Sequence, residues 1–327
     1  MQLTPQPRRR VSVANGRLGS LARAREAAER NYRAHPNVVG VGAGRKYRKG
    51  KRTDEVCCIQ FFVTRKFRNR EAIGRSLPRF VYGRRGDGSV DRTVRFPTDV
   101  IAVGRVEPAC SAGSPLDSET GQFGSITLLF RNRLTSPAGR LLMLTCAHVV
   151  GDLSSATPSD PEVESTCCRD LEPLGEAILS SVRSGRNVDY DIALIRISED
   201  AELRCQLGFL TTTGGVGLRG FLPAREIDPE LQVECDFPIS GARPARVDGF
   251  AGTVLMTIGG RDCCVQNAFL LRANVRRGDS GGLVFRGDRA VGILIGRSAS
   301  GWGWFHALEE AVDHLRAADP HLGFRVF

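Results

Sequence analysis

The hexapeptide Arg277-Gly278-Asp279-Ser280-Gly281-Gly282 has the composition needed to display a nucleophile. It lies between two apolar runs, and glycines flank the serine on both sides. A serine nucleophile must stand clear of its own backbone while neighbouring N–H groups point to where an oxyanion will form, and glycine permits that tight geometry. The same composition also suits a hairpin turn. Serine is a poor nucleophile at neutral pH and needs a base, normally histidine. The chain has five histidines. His35 precedes a proline, and His306, His314 and His321 lie near the C-terminus. His148 follows the apolar run 141–144 directly, in Thr145-Cys146-Ala147-His148-Val149-Val150, where a strand end can aim the ring. Such a base needs a carboxylate to hold its tautomer. In Val188-Asp189-Tyr190-Asp191-Ile192-Ala193-Leu194-Ile195, Asp191 abuts the apolar run and is the first choice, with Asp189 as the alternative.

These groups need rigid elements beneath them. After about residue 106 the chain alternates short β-rich runs (124–132, 140–144, 191–197, 251–258, 263–273, 283–286 and 290–295) with loops, a texture that predicts an all-β barrel or sandwich. A final helix is expected over 307–318, with Leu308, Val312 and Leu315 on one face and Pro320 beyond it. The first part reads differently. Residues 1–17 are rich in Pro, Arg and Gly and are expected to be a disordered lead-in. Helical spacing predicts an amphipathic helix over 18–34, and Pro36 forbids its continuation. Runs 37–42 and 55–64 around the polar Arg48-Lys49-Gly50-Lys51 predict a hairpin. Residues 92–106 predict one or two more strands, broken at Pro97. The domains are therefore expected at 18–105, a small α+β unit, and 106–327, with a Pro/Gly/Ser-rich seam between them.

The formal charge of +10 hides a division. Residues 1–105 carry 25 Lys plus Arg against 8 Asp plus Glu, whereas the remaining 222 residues carry 21 against 28. A basic leader thus precedes a mildly acidic body, and an acidic partner for the leader is one expectation. Its basic residues interleave with Tyr47, Phe61, Phe62 and Phe67, as in nucleic-acid binders. Aromatics alternating along a strand read as core instead, so nucleic acid is not the expected partner. No apolar run approaches the roughly 20 residues of a membrane span. The first 13 residues hold Arg8-Arg9-Arg10 and no secretory apolar stretch, so a cytoplasmic location is expected. Six of the ten cysteines form adjacent pairs (Cys57-Cys58, Cys167-Cys168, Cys263-Cys264) and no C-x-x-C occurs. Strand neighbours point to opposite faces, so no metal site is expected.

Together the three segments resemble the trypsin-like serine protease family. Its T-A-A-H segment is matched by Thr145-Cys146-Ala147-His148, its D-I-A-L strand by Asp191 to Leu194, and its G-D-S-G-G by Gly278 to Gly282. The order agrees, and the spacings of 43 and 89 residues stand against roughly 45 and 93 in the family. The match covers about residues 106–320. Residues 37–42, 53–55 and 97–100 resemble, more loosely, the leader of intracellular bacterial members.

The resemblance implies a chymotrypsin-like double β-barrel with the site between barrels, a peptide or protein substrate and no cofactor. It implies Ser280 as nucleophile, His148 as base, Asp191 as its orienter, and the N–H groups of Gly278 and Ser280 as oxyanion hole. It places Asn274 at the base of the substrate pocket, where trypsin-like members carry an acid, and Gly292 and Gly296 in the pocket wall. A strong preference for Arg or Lys is therefore not expected. Secreted members have cysteines where this chain has Val149 and Arg276, so those two disulfides are absent. Such members also pair the carboxylate before the serine with a new N-terminus of I-V-G-G type. Asp279 is present, but no such tetrapeptide occurs at 106–125, so either the site is preformed or another element orders its loop.

Overall fold

A helix whose apolar residues recur at i, i+3 and i+7 needs a sheet to cover that stripe. In the computed structural model, α1 (Arg8–Tyr32) lays Leu21, Ala24 and Ala28 against Val38, Val41, Ile59, Phe61, Val63 and Phe96. The structure describes residues 8–44, 46–48, 51–52, 58–66, 77–107, 116–118, 127–132, 140–150, 162–165, 172–180, 187–197, 218–258, 261–318 and 324–325. Cys57, Cys110, Cys167, Cys168 and Cys205, and most of the seam at 106–118, lie outside them. Contacts divide the chain into two compact units. One comprises Met1–Val103 with Gly249–Ala251, and the other Gly104–Asp248 with Gly252–Phe327.

In the first unit β1 (Val38–Gly44) pairs antiparallel with β2 (Cys58–Val63), and Tyr47–Arg48 pairs with Lys51–Arg52 inside the connection. β3 (Phe80–Arg84) and β4 (Val90–Ala102) complete the sheet in the order β1-β2-β4-β3. Two details differ from expectation. The helix begins at Arg8, within the segment expected to be disordered, because no proline interrupts the chain between Pro7 and Pro36 and its two glycines, Gly16 and Gly19, weaken a helix without breaking it. Pro97 does not break its strand either. β4 pairs antiparallel with β3 as far as Pro97 and parallel with β2 from Thr98 onward. The proline sits at this change of partner, where its missing N–H costs no ladder bond.

The second unit is built from two sheets, so the chain is mainly β. Among the described residues the first sheet is a path of seven strands. It contains β5 (Leu116–Ser118), β6 (Leu128–Asn132), β7 (Arg140–Thr145), β8 (Glu162–Ser165), β9 (Glu172–Ser180) and β10 (Ala193–Ile197). Their order is Phe324–Arg325, β6, β7, β10, β9, β8, β5. The other holds β11 (Gln232–Asp236), β12 (Arg243–Ile258), β13 (Arg261–Arg272), β14 (Leu283–Arg286), β15 (Arg289–Ser298) and β16 (Gly303–Ala307). These six close on themselves in the order β11-β12-β13-β16-β15-β14, with β14 returning to β11. One sheet closed as a barrel beside a second antiparallel sheet is consistent with the expected chymotrypsin-like architecture.

Residues Ala290 to Gly296 of β15 are all buried, so both faces of this strand are covered. That explains why it reads as a continuous apolar run rather than an alternating one. A short α2 (Ala147–Val150) follows β7, and α3 (Leu308–Ala318) follows β16, burying Leu308, Ala311, Val312 and Leu315.

Candidate active site

The ladder between β7 and β10 explains how two residues 43 apart in sequence meet. The strands run antiparallel with Thr145 opposite Ala193. The chain leaving β7 and the chain entering β10 therefore lie at the same end of the sheet. His148 stands three residues beyond Thr145, Asp191 two before Ala193. Asp191 Oδ1 accepts the backbone N–H of His148 at 3.0 Å, and Oδ2 accepts from His148 Nδ1. Asp191, rather than the half-buried Asp189, takes both donors. On the other side of the ring, His148 Nε2 lies 3.0 Å from Ser280 Oγ. All three residues are fully buried.

Burial by itself favours the neutral Asp191 carboxyl. The His148 charge and the hydrogen bonds from that residue outweigh it, so Asp191 is held below the usual carboxylate range. A tautomer with Nδ1–H toward Asp191 leaves the Nε2 lone pair facing the serine hydroxyl, which is the arrangement a general base needs.

The serine loop joins β13 to β14. Gly278 (φ 98°) and Gly281 (φ 84°) adopt left-handed backbone that a side chain would strain. The loop is tied to β15, with Gly281 N–H donating to the Leu294 carbonyl at 2.8 Å and Leu294 N–H to Gly282 O at 2.9 Å. The same Leu294 carbonyl accepts the Cys146 thiol at 3.1 Å, and Thr127 Oγ1 donates to Gly281 O at 2.6 Å. Residues next to His148 and residues next to Ser280 thus share one strand as a common reference.

The residues that the resemblance assigns to a substrate pocket differ in their surroundings. Asn274 is exposed at the start of the serine loop, and Gly296 is buried opposite Trp304. Gly292 is a correction. A Cβ there would meet the Phe305 ring at 2.2 Å and His306 O at 2.6 Å. Its side-chain face is filled by β16, so it is a packing glycine and not a pocket wall.

His306 is the residue that sequence reasoning passed over. It is fully buried, and its Nε2 accepts the backbone N–H of Asp191 at 2.9 Å while Nδ1 faces Asn267 O at 3.3 Å. Burial, only partly offset by Asp191, pushes its imidazole down to about 4. The neutral ring therefore carries its proton on Nδ1. Tyr190 packs edge-on against it with centroids 5.2 Å apart. The available signal was a polar residue inside the apolar strand Gly303-Trp304-Phe305-His306-Ala307.

Among the described residues, one group of three could offer ligand atoms to a metal: Cys146, His148 and Asp191. Zinc bonds of about 2.0–2.2 Å would hold two tetrahedral ligand atoms roughly 3.4 Å apart. His148 and Asp191 are instead bonded directly to each other, which leaves no seat for an ion between them. Among the described residues no helix is long and apolar enough to cross a membrane.

Among solved structures the chain is similar to Thermobifida fusca protease A, at 16% identity and a TM-score of 0.42 over 62% of this chain and 94% of that one. It is similar to a glutamic acid specific serine protease described as using a histidine triad in substrate binding, at 15% identity and a TM-score of 0.41 over 62% and 96%. A third is Cellulomonas bogoriensis chymotrypsin, at 14% identity and a TM-score of 0.37 over 62% and 94%. No family model and no curated protein matches the chain.

Proposed function

We propose that the chain is a serine endopeptidase. The observation that carries this reading is the unbroken line of hydrogen bonds from Ser280 Oγ through His148 to Asp191. In the reaction His148 Nε2 takes the Ser280 proton as Oγ attacks a peptide carbonyl, and ionised Asp191 stabilises the imidazolium that forms. The N–H groups of Gly278 and Ser280 receive the oxyanion. His148 then returns the proton to the leaving amine, and water repeats the sequence on the acyl-enzyme, releasing the acid and restoring Ser280.

Asn274 and Gly296 bound the substrate pocket in this reading. A carboxamide at Asn274 offers no counter-charge to a basic side chain, and Arg276 and Arg277 are exposed beside it. A strong preference for cleavage after Arg or Lys is therefore absent in this reading. Efficient cleavage after Arg with none after neutral residues would sink that assignment. The chain is read as acting inside the cell, with its basic N-terminal unit engaging an acidic partner that regulates it. Titrating the full chain with an acidic polypeptide at low and high salt tests this, since a charge-based partner loses its effect as salt rises.

The decisive experiment is labelling with a fluorophosphonate, followed by a peptide-library cleavage profile, for wild type beside Ser280→Ala. Wild type should be labelled at Ser280 and should cleave, and the variant should do neither. If Ser280 is never labelled, the fold is a catalytically latent binding scaffold, in keeping with the complete burial of the serine.

A further inference from the structure

The residue before the nucleophile has a carboxylate that the proposed chemistry does not use. Asp279 is fully buried, and a buried carboxylate must be satisfied by donors or it disrupts its surroundings. Its Oδ1 accepts the backbone N–H groups of Ile239 at 3.1 Å and Ser240 at 3.0 Å. Its Oδ2 accepts the Ser240 hydroxyl at 2.6 Å and the Arg276 N–H at 2.7 Å. Three of the four donors come from one short turn between β11 and β12, and two of those three come from Ser240.

That turn is itself anchored to the serine loop at further points. Arg243 donates through Nη1 to Asn274 O at 2.9 Å and through Nη2 to Ser240 O, so one guanidinium spans the turn and the beginning of the loop. Phe237 packs on the far end, where a Cβ on Gly282 would meet its ring at 2.4 Å. Gly241 (φ 74°) closes the turn with its N–H on Phe237 O at 2.7 Å. Residues 237–243 thus touch the serine loop at Asn274, Asp279 and Gly282, which bracket Ser280.

From this geometry we infer that Ser240 is a positioning residue for the nucleophile loop, holding the Asp279 carboxylate so that the Gly278 and Ser280 N–H groups stay aimed at the developing oxyanion. The inference rests on Ser280 being the nucleophile. It also answers what orders the loop when no I-V-G-G segment is present: every described donor to Asp279 belongs to the body of the chain. Charge-assisted hydrogen bonds to a carboxylate are the strong ones. Removing the hydroxyl leaves Oδ2 with one donor, and the loop then samples shapes in which the oxyanion site is not assembled.

The test compares full-length wild type, Ser240→Ala, Ser240→Thr and Arg243→Lys. Three readouts are taken: fluorophosphonate labelling rate, kcat and KM on a peptide that wild type cleaves, and amide exchange of the segment 274–282. Ser240→Ala should slow labelling and lower kcat by roughly tenfold to a hundredfold. KM should change little, because the loss is felt where charge develops, and exchange across 274–282 should rise. Ser240→Thr keeps a hydroxyl and should recover most of the rate. Arg243→Lys, which cannot span Asn274 O and Ser240 O with one planar group, should fall between. Wild-type labelling and kcat in Ser240→Ala would overturn the inference while leaving the proposed function intact, as would a rise in KM alone. If wild type is never labelled, the proposed function fails first. Exchange then decides the present point, since unchanged protection of 274–282 in Ser240→Ala overturns it.

Discussion

Replacing Gly292 by alanine separates a packing role from a pocket role at one position. The added methyl would stand 2.2 Å from Phe305 Cδ2, 2.8 Å from Cε2 and 2.6 Å from His306 O. Neither neighbour yields easily. The Phe305 ring is fully buried and stacks on Phe269 with centroids 5.3 Å apart. His306 O belongs to the backbone of β16, next to Ala307, which pairs with Gly292 itself. Overpacking of this kind costs about 1–3 kcal/mol, and a backbone clash argues for the upper part of that range. For a unit of roughly 200 residues each kcal/mol moves Tm by ~2–4 °C. The midpoint should therefore fall by roughly 4–12 °C, with the urea midpoint falling in step. Thermal unfolding followed by near-ultraviolet circular dichroism, at a pH where the chain is soluble, reads the change. A variant with the wild-type midpoint but an altered cleavage profile would refute the reasoning and return Gly292 to the pocket wall.

Asp191→Asn should keep the fold but remove the acceptor that fixes the His148 tautomer, lowering kcat by about four orders of magnitude; a loss under tenfold in a correctly folded variant would argue against the proposed proton path. His306→Gln keeps an acceptor for the Asp191 N–H but cannot titrate. The wild-type imidazole is pushed down to about 4 by burial, below its unfolded value of about 6.5. Its contribution to stability is therefore fully present above pH ~6.5 and is lost as pH falls from there toward 4. Urea unfolding of wild type should show an extra loss approaching 1.4 kcal/mol per pH unit in that window, and the variant a flatter profile. Equal slopes would show that His306 already titrates normally in the folded chain.

The elements that carry His148, Asp191 and Ser280 were legible because each motif announces its own local geometry. An apolar run ending in a small-residue segment with His148 is a strand end, an acid abutting an apolar run is a strand start, and glycines around a serine make a turn. Order and spacing then tied three local signals to one fold family. The charge division was equally readable, since it needs only counting. The continuity of β4 through Pro97 was not, because whether a proline breaks a strand depends on which neighbour needs its N–H, and that depends on sheet order.

Sequence alone thus determined which residues could supply a nucleophile, a base and a carboxylate, because residue type and local pattern set chemical capacity. Tertiary structure decided between Asp191 and Asp189, since only the β7–β10 register fixes which acid reaches His148. It moved Gly292 from a pocket wall into a packed strand pair. It also brought in His306 and Ser240, 115 and 39 residues distant from the groups they hold. Contacts at such separations leave no local pattern, because they arise only where elements remote in sequence are packed together by the fold.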